Sequence, residues 1–154
     1  MNASQLLQAV YVAFAFVVQA LLTFDFAARN WKPEIERTYG WIIYALGVPS
    51  LILGILMLVD NQPWFFVVPP FLYSAWALLG YRVDIWRPVA WRVPPQWSIF
   101  ISYVGLFVSS LLLFWVSMWY VGTISWIAFG VMYAIHTFIN IYSHRRKALV
   151  REGQ

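Results

Sequence analysis

The sequence contains no cysteine, and only 10% of its 154 residues are charged. The first absence removes disulfide frameworks, cysteine zinc ribbons and iron–sulfur sites. The second removes an ordinary soluble domain, in which roughly a quarter of the residues are charged. Acidic residues are scarcest, six against ten basic, for a formal net charge of +4. Apolar residues fill the rest: 62% of the chain is hydrophobic and 20% aromatic, with ten Trp and a mean hydropathy of +0.70.

Five apolar stretches run from Leu6 to Phe26, Trp41 to Val59, Trp64 to Tyr81, Ile99 to Tyr120 and Ile124 to Tyr142. At about 1.5 Å of rise per residue each covers roughly 27 to 33 Å, the thickness of a hydrocarbon core. The pattern predicts an all-α integral membrane protein, a five-transmembrane-helix bundle forming a single domain over residues 1–154. Every Lys and Arg follows the first, third or fifth stretch: Arg29, Lys32 and Arg37; Arg82, Arg87 and Arg92; Arg145, Arg146, Lys147 and Arg151. Cytoplasmic loops hold the basic residues, so the N-terminus is expected outside and the C-terminus in the cytoplasm, in a bacterial inner membrane or its equivalent. Met1 to Gln5 has no basic flank, so the first stretch is read as a retained span and not a cleaved signal peptide. The positive charge then serves topology and lipid attraction, not nucleic acid.

Trp31, Trp41, Trp86, Trp91 and Trp97 fall at the inner boundary, and Trp64, Trp119 and Trp126 at the outer one, where indoles anchor. The short turns Asp60 to Pro63 and Val121 to Thr123 make neighbours of spans 2 and 3 and of spans 4 and 5. Pro49, Pro69 and Pro70 lie inside spans, where each frees a carbonyl and bends or loosens its helix. Pro88, Pro94 and Pro95 prevent Tyr81 to Trp97 from being one continuous helix.

Counting residues from the inner end places Gln19 about 11 Å deep, Ser50 about 13 Å, Tyr73 and Ser74 about 10 to 12 Å, and Tyr133 and His136 about 9 to 14 Å. Gly105 and Ser109 bracket that level. The outer half is almost free of polar side chains, which argues against an open pore. Tyr133, His136, Thr137, Asn140 and His144 share one helix face, as do Gln8, Tyr11, Ala15, Gln19 and Thr23. Such stripes either bond helices together or line a ligand or proton site, and an ionisable His inside a span favours the second. The ligand-binding candidates are Gln19, Tyr73, Ser74, Tyr133, His136 and Asn140. The two histidines stand about 12 Å apart along one helix, too far to share a metal. No metal and no cofactor is expected.

Trp86-Arg87 and Trp91-Arg92 place guanidinium groups beside indoles at headgroup depth, candidates for contact with a lipid headgroup or another anion. Asp25 and Arg29, four apart, are expected to pair. The downstream aspartates of a CDP-alcohol phosphotransferase are missing, and no nucleophile, metal or phosphate-loop motif supports an enzyme. Trp91-Arg92-Val93-Pro94-Pro95 resembles a fragment of the tryptophan-rich sensory or translocator protein family, which also has five helices and many Trp. In that family the element follows the first helix, whereas here it follows the third, and no functional residue is carried over. Ser50 with Gly54, Gly105 with Ser109 and Gly130 with Ala134 permit close helix packing, within the chain, in a homo-oligomer or in a larger membrane complex.

The leading expectation is a protein that binds or moves a lipophilic or amphipathic small molecule, such as a lipid, in a cytoplasm-facing cavity of the inner half. The first alternative is a non-catalytic accessory subunit of a larger complex, its polar stripes serving as packing devices. The second is a lipid-modifying enzyme using Asp25, Glu34, Glu36 and Asp84 with His144, which requires at least two of those carboxyls to converge.

Overall fold

The computed structural model describes residues 2–89, 94 and 96–152, with side chains up to residue 142. The elements in chain order are α1 (Ala3–Trp31), α2 (Pro33–Tyr39), α3 (Trp41–Ala45), α4 (Gly47–Val59), α5 (Trp64–Gly80), a π-helical turn (Tyr81–Trp86), α6 (Trp97–Val121) and α7 (Thr123–Glu152). Among the described residues there is no strand. Five segments are long and apolar enough to cross a membrane: Ala3–Trp31, Pro33–Val59, Trp64–Trp86, Trp97–Val121 and Thr123–Tyr142. This is the make-up of a multi-pass membrane protein.

Two segments read as loops from the sequence are helical. Pro33 opens α2 from its first position, where the missing N–H has no partner to lose and the fixed φ suits a helix. The stretch after Gly80 continues α5 as a π-helical turn and stops at Trp86, ahead of Pro88.

The helices form a ring. α4 packs on α5, α5 on α6, α6 on α7 and α7 on α1, and α1 closes it against α2, α3 and α4. The hairpin pairings read from the short turns are present, and among the described residues Asn61 supplies the one non-glycine residue of positive φ, 52°, in the first of them. Asn tolerates that conformation because its short polar side chain bonds locally. α1 and α7 run side by side in the same direction. Phe16 meets Phe129 with ring centres 5.6 Å apart, and ten residues further along Phe26 meets His136 at 5.0 Å.

The core follows from helical spacing. Tyr11, Ala15, Val18 and Leu22 lie along one face of α1 and are fully buried. The Tyr11 ring crosses the ring of helices to Phe66 of α5 and Phe114 of α6, and its hydroxyl sits 2.7 Å from Ser117 Oγ. Outward faces are apolar, as on α4 at Ile52, Ile55 and Leu58 and on α7 at Ile124, Ile127 and Val131. Such faces suit lipid better than water.

The prolines act differently. The second span breaks at Leu46, so Pro49 falls in the first turn of α4, where its absent N–H costs no intrahelical bond. Pro69 and Pro70 remain inside an uninterrupted α5, both buried.

Candidate functional site

The polar residues predicted from depth divide into two groups. Ser50, Tyr73 and Ser74 are used where α5 packs against α3 and α4. Tyr73 Oη donates to the Ile43 carbonyl at 2.7 Å and Ser50 Oγ to the Pro70 carbonyl at 2.9 Å, while Ser74 Oγ lies 2.7 Å from the Pro70 carbonyl of its own helix and 3.0 Å from the Gly47 carbonyl. These carbonyls lie beside the Leu46 break and the Pro69-Pro70 pair, and the hydroxyls add side-chain bonds between the packed segments. In this structure Tyr73 and Ser74 spend their hydrogen bonds on the fold.

Gln19 and His136 lie between α1 and α7 and are also buried, at 0% and 1% exposure, yet neither Gln19 amide atom nor His136 Nδ1 has a hydrogen-bond partner. Tyr133 is half-buried with its ring over the imidazole, 6.2 Å between centres. Phe26 and Phe107 close two other sides of the imidazole, at 5.0 and 5.6 Å. Asn140 is half-buried one turn further on. The α1 stripe divides, Gln8 turning to Gln62 and Tyr11 to Ser117, and no hydrogen bond links Gln19 to His136.

A cavity lies elsewhere, at the end of the bundle that carries the basic residues. It measures about 380 Å³ between α1 and the α2–α3 segment. Its walls are Leu21, Phe24 and Ala28 of α1, Ile35 and Tyr39 of α2, and Ile42 and Ile43 of α3. Phe24 and Tyr39, each 56% exposed, mark its open side. Asp25 and Glu36 are its two charged lining residues. Both converge on Arg29, whose Nη2 lies 2.9 Å from Asp25 Oδ2 and whose Nε lies 3.4 Å from Glu36 Oε1. The guanidinium also covers the Phe26 ring, 5.1 Å from its centre. Gly40 completes the floor, since a Cβ there would stand 3.3 Å from Asp25 Oδ1 and 2.6 Å from the Glu36 carbonyl oxygen. Asp25 is only 4% exposed. A carboxylate so buried is tolerable because a guanidinium is bonded to it.

The i, i+4 pairing of Asp25 with Arg29 was legible from spacing. Glu36 was not recognised as its second partner, because that contact depends on α2 folding back beneath α1 after Lys32. Behind Arg29, within electrostatic reach of its charge, lie Tyr44 and Tyr103. Tyr44 Oη donates to Asp84 Oδ2 at 2.6 Å and stands 3.1 Å from Tyr103 Oη. No sequence motif joins residues from α3, the π-helical turn and α6. Only the ring closure brings them together.

Trp86 and Arg87 meet as expected, the guanidinium 5.7 Å from the indole centre, and Arg82 joins them at 5.0 Å. Trp91 and Arg92 lie outside the described residues, as does the side chain of His144. Among the described residues no three His, Asp or Glu side chains are grouped as metal ligands would be. The groove is within the size range of ligand pockets and its open lining is almost wholly apolar, which suits an apolar body, while the Asp25 and Glu36 carboxylates turn to Arg29. No family model matches the chain, and neither the curated proteins nor the solved structures contain a match to it.

Proposed function

We propose that this protein binds an amphipathic small molecule, with the apolar body of the ligand between α1 and α2–α3 and its polar end at Asp25 and Glu36. The positive-inside rule puts the basic end of the bundle in the cytoplasm, so the groove opens sideways to the inner leaflet. The observation that carries this reading is the groove itself, a cavity of about 380 Å³ with apolar walls and with Asp25 and Glu36 among its lining residues. The charge selects the ligand. One guanidinium faces two carboxylates, leaving one negative charge unmatched, and the lining contains two acids and no base. An amphipathic cation, such as an amine on an apolar body, supplies the missing charge.

Native mass spectrometry of the chain extracted gently from membranes tests this. Wild type is expected to retain a small-molecule adduct that Ile35→Trp, which fills the groove from α2, loses. An adduct retained equally by both removes the groove from the account.

A second reading, a homo-oligomer or subunit of a larger complex, is favoured by the outward face of α6. Ser102, Gly105 and Ser109 are exposed there, and a Cβ at Gly105 would meet nothing. Small residues facing lipid admit close approach of another helix. Gly105→Leu is expected to leave a monomer unchanged and to dissociate an assembly, as read by the mass of the detergent-solubilised particle.

A further inference from the structure

We infer that Arg82, Trp86 and Arg87 form a clamp for the phosphate of an anionic lipid headgroup, separate from the groove and resting only on the chain spanning a membrane. The π-helical turn builds it. The Arg87 N–H donates to the Arg82 carbonyl at 3.1 Å, an i→i+5 closure that sets Trp86 and Arg87 directly over Arg82. Both guanidinium groups then rest on one indole, 5.0 and 5.7 Å from its centre.

Holding two like charges on one ring is unfavourable unless an anion joins them. Among the described residues the ion pairs are those of Arg29, and Asp84 of the same turn accepts the Tyr44 hydroxyl. Trp86 is 63% exposed and Arg87 is exposed, so the N–H donors remain available to a ligand. Planar guanidinium groups bond phosphate oxygens in pairs. An exposed indole fixed beside them at headgroup depth favours a phosphate that carries acyl chains over one free in solution.

The test is lipid binding to the full chain in neutral maltoside micelles, with phosphatidylglycerol, phosphatidylcholine and inorganic phosphate as probes. Arg82→Gln/Arg87→Gln is compared with Lys32→Gln/Arg37→Gln, which removes the same charge elsewhere at the same end. The first pair is expected to weaken phosphatidylglycerol binding about thirtyfold and the second less than about threefold. Phosphatidylcholine, whose ammonium offsets its phosphate, binds weakly throughout, and inorganic phosphate does not displace phosphatidylglycerol from wild type. Unchanged binding in the first pair, or equal loss in both pairs, overturns the clamp. Displacement by inorganic phosphate as effective as by lipid overturns the lipid as its source. Should the Gln pair fail to fold, Arg82→Lys/Arg87→Lys keeps the charge and loses the planar fork. Loss beyond about threefold supports the clamp, and wild-type binding contradicts it.

Discussion

The two seams of the bundle treat buried polar groups in opposite ways. Where α5 meets α3 and α4, Ser50 and Tyr73 donate to backbone carbonyls of the facing segment, and Ser74 Oγ lies between the carbonyls of Pro70 and Gly47. Where α1 meets α7, Gln19 and His136 are as deeply buried, with polar atoms that bond to nothing. The difference lies in reach. Tyr73 and Ser50 stand within hydrogen-bond distance of main-chain carbonyls across the α5 seam, whereas the Gln19 amide and His136 Nδ1 meet no such acceptor or donor. A polar side chain in a membrane helix is therefore structural where it bonds the facing backbone, and calls for another explanation where it bonds to nothing.

Substitutions that strike the first seam should cost most. Gly80 packs against the Tyr44 ring, which is itself tied to Asp84 and Tyr103. Gly80→Ala drives a Cβ into that ring, and the expected loss is roughly 3 kcal/mol, measured by reversible unfolding in detergent. Next is Tyr73→Phe, which removes the donor to Ile43 and is expected to cost about 1 to 2 kcal/mol. In the second seam the sign reverses. Gln19→Leu removes a buried amide without partners and should raise stability by about 1 kcal/mol. A loss there instead would mean that a polar partner occupies the α1–α7 seam.

The smallest effect belongs to the hairpin end. Asp60 accepts from Ser4 Oγ and Gln62 Nε2, both at 2.7 Å, and these bonds hold its carboxyl below the usual range. A carboxyl depressed in the folded state stabilises it above the unfolded value, near 4, and that contribution is lost as pH falls through the folded value. Acid titration should therefore separate wild type from Asp60→Asn near neutrality and bring the two together as pH falls through the depressed folded value.

Much of the architecture was legible in the sequence because few forces set it. The apolar runs, the Asp60 to Pro63 turn and the single residue between α6 and α7 fix helix number and hairpin neighbours. The helical state of Pro33–Tyr39 was less visible, since a loop and a short helix share its polar composition. The candidate site was legible only in fragments. Asp25 and Arg29 announce themselves by spacing within one helix, whereas Glu36, Gly40 and Ile42 join them only once α2 turns back on α1. The helical stripes that must avoid lipid pointed to burial of Gln19 and His136, which are 0% and 1% exposed. Depth counting could not tell that the cavity lies beside α2, because residue counts carry axial position and not which helix faces which.

The account rests on the groove selecting a cation, and one pair of probes isolates that choice. Tetraphenylphosphonium and tetraphenylborate have the same shape and opposite charge. Equilibrium binding of each to the full chain in neutral micelles is expected to favour the phosphonium, and Glu36→Gln to weaken it about tenfold while leaving the borate unchanged. Equal binding of the two ions, or phosphonium binding indifferent to Glu36→Gln, would contradict it.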